Sequence, residues 1–188
     1  IDLALATARA HNADLVIAND PDADRCAAAI KDRSGDWRML RGDELGVIFG
    51  EWIARTSPQG TFGNSIVSSS VLRKISAHYG IDFREVLTGF KWLAKIEDLA
   101  FGYEEAIGFC CGEIISDNAG ISAIGVFAEI ADEVYNSGGN IVSHLQGLYN
   151  KFGEFVCNNG YYFCYDSDLV LSWSVRVGWS MFGRIEGN

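Results

Sequence analysis

The chain has 188 residues, with 15 Lys and Arg against 25 Asp and Glu and a formal charge of -10, which argues against an electrostatic binder of nucleic acid or anionic membranes. With 48% apolar residues, 12% aromatic and only 2 Pro, it can bury a core and lacks the composition of a disordered segment. Its length suits one domain with a fragment of another. Five cysteines, Cys26, Cys110, Cys111, Cys157 and Cys164, form neither an even set nor a Cys-x-x-Cys pair, so a reducing compartment is expected. No apolar run approaches the roughly 18 residues of a membrane span. A chain that opens at Ile1 without signal-peptide order reads as a piece of something longer.

In chain order, the Ala-rich stretch to Ala10 reads as the end of a helix and Asp14 to Ala18 as a short buried strand. Asn19 to Arg25 (NDPDADR) is a carboxylate-rich loop, followed at once by a second apolar run, Cys26 to Ile30. A turn at Lys31 to Asp36 precedes a strand at Trp37 to Leu40, and Asp43 and Glu44 open a helix over Gly42 to Arg55. The order then alternates: strand at Ser65 to Ser69, helix at Val71 to His78 closed by Gly80, strand at Phe83 to Leu87, helix at Phe90 to Glu97, strand at Leu99 to Tyr103. Such alternation predicts an α/β sheet with right-handed crossovers. Ile107 to Gly112 continues as strand, Asn118 to Gly120 turns, and two helices follow at Ile121 to Tyr135 and Ile141 to Tyr149, broken by Ser137 to Asn140. Asn159-Gly160 between apolar runs predicts a hairpin over Glu154 to Tyr165. From Leu169 the pattern has no clean period, and the tail is expected to be poorly ordered.

The loop carries the chemistry. Asp20, Asp22 and Asp24 alternate, so in an extended or gently curled loop their carboxylates can face one point. Three such anions repel unless a cation sits among them, and hard oxygen ligands select Mg²⁺, Mn²⁺ or Ca²⁺. Arg25 beside them can fork onto a phosphate oxygen or pair with a neighbouring Asp. A solvated acidic turn is the plain alternative. A calcium hand fails, because its sixth and twelfth positions would be Arg25 and Lys31 instead of Gly and Glu. A haloacid dehalogenase-type phosphatase, with Asp20 as nucleophile, stays open as a minor alternative. His11, His78 and His144 have no evident partners, Ser68 to Ser70 lack a nucleophile elbow, and Cys110-Cys111 reads as packing.

The segment Asp20-Pro-Asp-Ala-Asp-Arg25 resembles the magnesium loop of the α-D-phosphohexomutases, the phosphoglucomutases and phosphomannomutases. Thr88-Gly89-Phe90-Lys91 is similar to that family's specificity loop, Phe101 to Gly108 (FGYEEAIG) to its sugar-binding loop, and Ser68-Ser69-Ser70 with Leu72 to the segment preceding the specificity loop. The variant Glu-Glu-Ala-Ile-Gly looks closest to the phosphopentomutase and glucose 1,6-bisphosphate synthase branch. The resemblance covers about residues 1 to 166. It implies a three-layer α/β domain with a mixed sheet over residues 42–166, the end of a preceding domain of the same kind over 1–41, and an atypical tail over 167–188.

On that resemblance Asp20, Asp22 and Asp24 hold Mg²⁺, Arg25 stabilises the transferring phosphoryl group, Glu104 accepts bonds from two sugar hydroxyls, and Thr88, Gly89 and Lys91 contact the substrate. The implied activity is a cytoplasmic, monomeric, Mg²⁺-dependent intramolecular phosphotransferase. It would act on glucose 1-phosphate or ribose 1-phosphate through a bisphosphate such as glucose 1,6-bisphosphate. The family's catalytic Ser-His-Asn-Pro stretch is not in this sequence, so the chain by itself is expected to be inactive; a non-catalytic sugar-phosphate-binding or regulatory fragment is the rival reading. Two departures stand out. Ala106 replaces a common serine, and Asn118 replaces a lysine of the family turn.

Overall fold

A computed structural model of the protein describes residues 1–32, 34–111 and 119–154. The described chain runs α1 (Asp2–Ala10), β1 (Leu15–Asn19), β2 (Cys26–Lys31), β3 (Trp37–Met39), α2 (Gly42–Thr56), β4 (Thr61–Ser65), α3 (Val71–Tyr79), β5 (Asp82–Val86), α4 (Phe90–Leu93), β6 (Leu99–Glu104), β7 (Gly108–Cys111), α5 (Gly120–Asn136) and α6 (Ile141–Phe152). The helix ends follow local chemistry. At the start of α2 the Glu44 carboxylate accepts from the Arg41 N–H at 2.8 Å, satisfying a donor that the first turn leaves over. Asn140 and Ser143 cap α6 reciprocally, and Gly80, at φ 71°, closes α3 in the left-handed conformation.

Two sheets result. The first is antiparallel, in the order β1-β2-β3, and the second is mixed, in the order β5-β4-β6-β7. β4 pairs in parallel with both β5 and β6, while β7 returns antiparallel to β6 through a tight turn. One core spans both sheets: Cys26, Ala28 and Ile30 of β2 join Phe62, Phe101 and Phe109 of the second sheet beneath α2, α3, α5 and α6. On the other face, α4 covers a smaller cluster of Phe90, Leu93, Leu99 and Cys110, which completes three layers.

Helix α2 lies unusually close to β6, and its sequence explains why. Gly42, Gly46 and Gly50 recur every four residues and so share one face. A Cβ at Gly46 would sit 2.6 Å from the Tyr103 ring, one at Gly50 2.5 Å from Leu72 and 3.3 Å from Phe101, and one at Gly42 would collide with the Glu105 carbonyl. Above this seam the Asp43 carboxylate accepts from the Tyr103 hydroxyl at 2.8 Å and from the Ser69 N–H at 2.7 Å. The helix thus supplies polar anchors as well as apolar cover to the carboxyl ends of β4 and β6.

The structure differs from the sequence expectations in two central places. The strand expected at Ser65 to Ser69 lies at Thr61–Ser65, and Ile66 and Val67 are exposed in the loop that follows. β4 is flanked on both sides, and small residues fit it there, since a Cβ at Gly63 would lie 2.6 Å from Ile96 and 3.0 Å from Leu93. The helix expected over Phe90 to Glu97 holds for only one turn. Beyond it, Lys95 and Ile96 bond three residues back, and Asp98, at φ 53°, reverses the chain into β6. The hairpin at Glu154 to Tyr165 and the tail lie outside the described residues.

Two expectations follow. Gly46→Ala should lower stability by about 1–3 kcal/mol, the range for overpacking a filled core. Gly125→Ala on α5, where nothing lies within 4 Å, should raise it by about 0.5–1 kcal/mol; urea denaturation in which the two variants behave alike would contradict the close α2–β6 seam. The second concerns His144, whose Nε2 is buried without a partner. Burial lowers its pKa below the usual 6.5, against the charges of Glu51 and Glu133 and with that of Arg55. The unfolded chain therefore takes up the proton first, so the stability held by neutral His144 is present above 6.5 and is lost as the pH falls below it. Between about pH 7.5 and 5, His144→Leu should lose less stability than the parent, and equal losses would count against the assignment.

Candidate metal and sugar-phosphate site

The β1–β2 hairpin closes on the pair Asn19↔Cys26, leaving Asp20 to Arg25 as its loop. Pro21 occupies the first central position of a turn in which the Ala23 N–H donates to the Asp20 carbonyl at 3.0 Å. Ala23 then adopts φ 59°, and the Asn19 side-chain amide donates to the Arg25 carbonyl at 2.6 Å. The outcome is convergence: Asp20, Asp22 and Asp24 each offer a carboxylate oxygen, and these oxygens all lie within 4.8 Å of one another.

Arg25 supplies the counter-charge in this arrangement. Its Nε donates to Asp20 Oδ2 at 2.6 Å and to Asp24 Oδ1 at 3.4 Å, and its backbone N–H donates to Asp20 Oδ1 at 3.1 Å. The guanidinium is thus paired within the loop, with about half of the side chain, 49%, still exposed. Partial desolvation works against ionisation of Asp20, but the N–H and guanidinium of Arg25 outweigh it and bring the carboxyl down to about 2. Asp24 moves the other way, raised by desolvation and then by the neighbouring Asp20 and Asp22 charges. An all-oxygen donor set crowded enough to disfavour one of its own charges fits a small hard divalent cation, and Asp20, Asp22 and Asp24 are the residues that could hold one.

Neighbouring elements fix this loop through main-chain bonds. The Gly120 N–H at the start of α5 donates to the Ala23 carbonyl at 3.1 Å, the Cys26 N–H donates to the Ile107 carbonyl at 3.1 Å, and Arg25 bridges to Gly108. Gly120 has to be glycine by proximity, since a Cβ there would lie 2.6 Å from the Arg25 carbonyl and 2.8 Å from that of Ala23. Ile107 is held at φ 63°, a conformation strained for a β-branched residue and persistent only where its surroundings impose it. The carboxylate loop is therefore sewn to the β6–β7 turn.

That turn carries Glu104 and Glu105 at the carboxyl end of β6, on the side where open α/β sheets bind ligands. Glu104 Oε1 accepts from the Gly89 N–H at 2.6 Å, so the structure brings together two segments singled out separately in the sequence. Gly89 stands at φ 113° before α4. Thr88 is exposed, and the exposed Lys91 has its Nζ 5.9 Å from the centre of the Trp92 ring. Sequence reasoning missed Glu105, which accepts from the Ser65 and Ser68 hydroxyls at 3.1 and 3.2 Å, and it missed Asp43. Neither had a local signal, because their partners lie 26 to 60 residues away.

Several of the groups set aside in the sequence serve packing and hydrogen bonding within the fold. Ser68 and Ser69 are buried, His78 packs edge-on against Tyr79 and Phe152, and burial pushes the thiols of Cys26, to about 11, and Cys111 upward. No helix among the described residues is long and apolar enough to cross a membrane. Asp117 and Asn118 lie outside the described residues.

Residues 41–152 match the family described as phosphoglucomutase/phosphomannomutase, alpha/beta/alpha domain III. A probable phosphomannomutase of Haemophilus influenzae is 38% identical over 83% of this chain and 33% of its own length. The phosphopentomutase of Homo sapiens is 34% identical over 90% of this chain and 31% of its own. The glucose 1,6-bisphosphate synthase of Mus musculus is 35% identical over 94% and 31%. The chain thus spans about a third of the length of these relatives.

Among solved structures, a putative phosphomannomutase from Thermus thermophilus superposes with a TM-score of 0.64 at 19% identity, over 74% of this chain and 31% of that one. An Aspergillus fumigatus N-acetylphosphoglucosamine mutase in complex with GlcNAc-6P and magnesium superposes with a TM-score of 0.53 at 13% identity, over 72% and 35%. These two likenesses bear on the fold, while the family match covers the second sheet and helices α2 to α6. The chain belongs to the phosphoglucomutase/phosphomannomutase family of sugar-phosphate mutases.

Proposed function

We propose that this chain is the metal-binding and sugar-recognition part of a Mg²⁺-dependent sugar-phosphate mutase, with residues 1–41 ending one domain and 42–166 forming the next. The observation that carries the reading is the short hydrogen-bonded path between its two chemistries. Three carboxylates lie within 4.8 Å of one another, and the loop that bears them is bonded to the turn whose Glu104 grips the Gly89 loop.

Asp20, Asp22 and Asp24 would hold the ion. When bound, Mg²⁺ neutralises charge on a phosphoryl group and aligns it for in-line transfer. Arg25 has about half of its side chain exposed beside the trio and would steady the phosphoryl oxygens by a forked pair of bonds. Glu104 commits Oε1 to Gly89 and keeps its other oxygen for sugar hydroxyls, a contact that serves a bisphosphate in either orientation. Thr88 and Lys91 border the same corner, where Lys91 would meet phosphate. The substrates this implies are glucose 1-phosphate or ribose 1-phosphate, each isomerised to another phosphate of the same sugar through its own bisphosphate, by a phosphoserine of the Ser-His-Asn-Pro type, a stretch not found in these 188 residues. Family membership leaves the aspartyl-phosphatase reading of Asp20 without a supporting observation.

Purified residues 1–188 are expected to show no turnover of either 1-phosphate, and turnover that Asp22→Ala abolishes would contradict this. Calorimetric titration with glucose 1,6-bisphosphate should give heat that depends on Mg²⁺. Asp22→Ala should weaken the response to the ion by at least the roughly 10–100-fold that loss of an outer partner alone costs at metal sites. Heat absent both with and without the ion would remove sugar-phosphate recognition from the account.

A further inference from the structure

Adjacent carboxylates at the end of β6 face different loops, and the second has no role in the reading above. Glu105 Oε2 accepts from Ser65 Oγ at 3.1 Å and from Ser68 Oγ at 3.2 Å, while the Glu105 N–H donates to Ser68 Oγ at 3.1 Å. The two serine hydroxyls are 2.8 Å apart, so carboxylate, peptide and both hydroxyls form one closed cluster. Ser65 and Ser68 are themselves buried, at 0% and 7% exposure. Salt and solvent therefore screen these bonds poorly.

The loop held in this way leads on to the ligand-facing one. The Ile66 N–H donates to the Val86 carbonyl at 2.8 Å, two residues before Thr88. The circuit closes where the Gly89 N–H donates to Glu104 Oε1 at 2.6 Å. Beneath it the Glu105 backbone rests against Gly42, where no side chain fits. Three strand ends, those of β4, β5 and β6, are thus tied by two neighbouring glutamates, each holding a different loop.

We infer that Glu105 is a positioning residue: by clasping Ser65 and Ser68 it fixes the peptide from which Glu104 reaches the Gly89 amide, and so sets the geometry of the sugar-recognition corner. The functional half of this statement rests on the sugar-phosphate reading proposed above. Its structural half does not. Glu105→Gln keeps one side-chain oxygen that can accept from the serines, whereas Glu105→Ala keeps none.

Amide hydrogen exchange on the 188-residue chain separates these variants. In Glu105→Ala the Gly89 amide should exchange about tenfold faster or more, the equivalent of losing one charge-assisted bond, with the core amides of Phe62 and Phe101 unchanged. Glu105→Gln should restore most of the protection, and Ser68→Ala should loosen Gly89 by a smaller factor. An unchanged Gly89 amide in Glu105→Ala overturns the inference, as does equal acceleration at Gly89, Phe62 and Phe101, or a Gln variant as loose as Ala. Should Glu105→Ala not fold, an unaltered Gly89 in Ser68→Ala overturns it by itself. Titration with glucose 1,6-bisphosphate then adds the functional arm. Weaker binding in Ala than in Gln at equal thermal stability supports positioning, and identical binding in parent and Ala contradicts it. If the parent binds nothing, the functional reading falls, while the exchange result still decides what Glu105 does.

Discussion

Like-charge crowding on a single hairpin loop is the constraint from which the rest of this structure follows. Three carboxylates with oxygens within 4.8 Å of one another demand positive charge, and in the described structure the Arg25 guanidinium provides it at Asp20 Oδ2, while the Arg25 backbone N–H donates to Asp20 Oδ1. The two acids respond in opposite directions: Asp20 is held well ionised by Arg25, while Asp24 is made reluctant to ionise by desolvation and its neighbours. The single guanidinium reaches one oxygen of Asp20 at 2.6 Å and one of Asp24 only at 3.4 Å. What is left over is a cluster of hard oxygens with unbalanced negative charge, which is what the proposed divalent cation would neutralise.

Such a loop is useful only if its position is fixed relative to the group it serves, and here main-chain bonds fix it. Cys26 to Ile107, Gly120 to Ala23, and the Arg25–Gly108 bridge tie the hairpin to the β6–β7 turn. The strained backbone at Ile107 sits in the middle of these ties. Strain in a β-branched residue of about 1–3 kcal/mol persists only where the surroundings over-determine it, and here the Ile107 carbonyl accepts from the Cys26 N–H while the adjacent Gly108 bridges to Arg25. The glycine face of α2 serves the same end from below, bringing a rigid helix against the residues that precede Glu104 and Glu105.

Much of this was legible from short-range pattern. The alternating Asp residues, the strand on either side of them and the Gly80 stop of α3 are all local signals, and the structure places them within a residue or two of where the sequence did. What escaped was long-range. Ile66 and Val67 have the composition of a strand, yet they are exposed, and the flanked position is taken by Thr61–Ser65, where Phe62 enters the core and Gly63 leaves room for Leu93 and Ile96. Phe90 to Glu97 has helical spacing, but the chain must reverse by Asp98 to enter β6, and the helix tightens after one turn. In sequence Asp43 reads as a helix opener and Glu105 only as one position of the Phe101 to Gly108 match; the approach of α2, β4 and β6 turns them into anchors. The Gly42, Gly46 and Gly50 stripe was visible in principle, as three glycines spaced by four, and its partner was not.

The central claim, a divalent cation held by Asp20, Asp22 and Asp24 and felt at the sugar loop, is tested most directly by paramagnetic broadening with Mn²⁺. Amide resonances of Asp22, Ala23 and Arg25 should broaden first as Mn²⁺ is added, followed by those of Ile107, Gly108 and Gly120, and excess Mg²⁺ should restore them. Broadening that begins at other acidic surfaces such as Glu85, Glu97 and Asp98, or that leaves the hairpin loop untouched, would contradict the account.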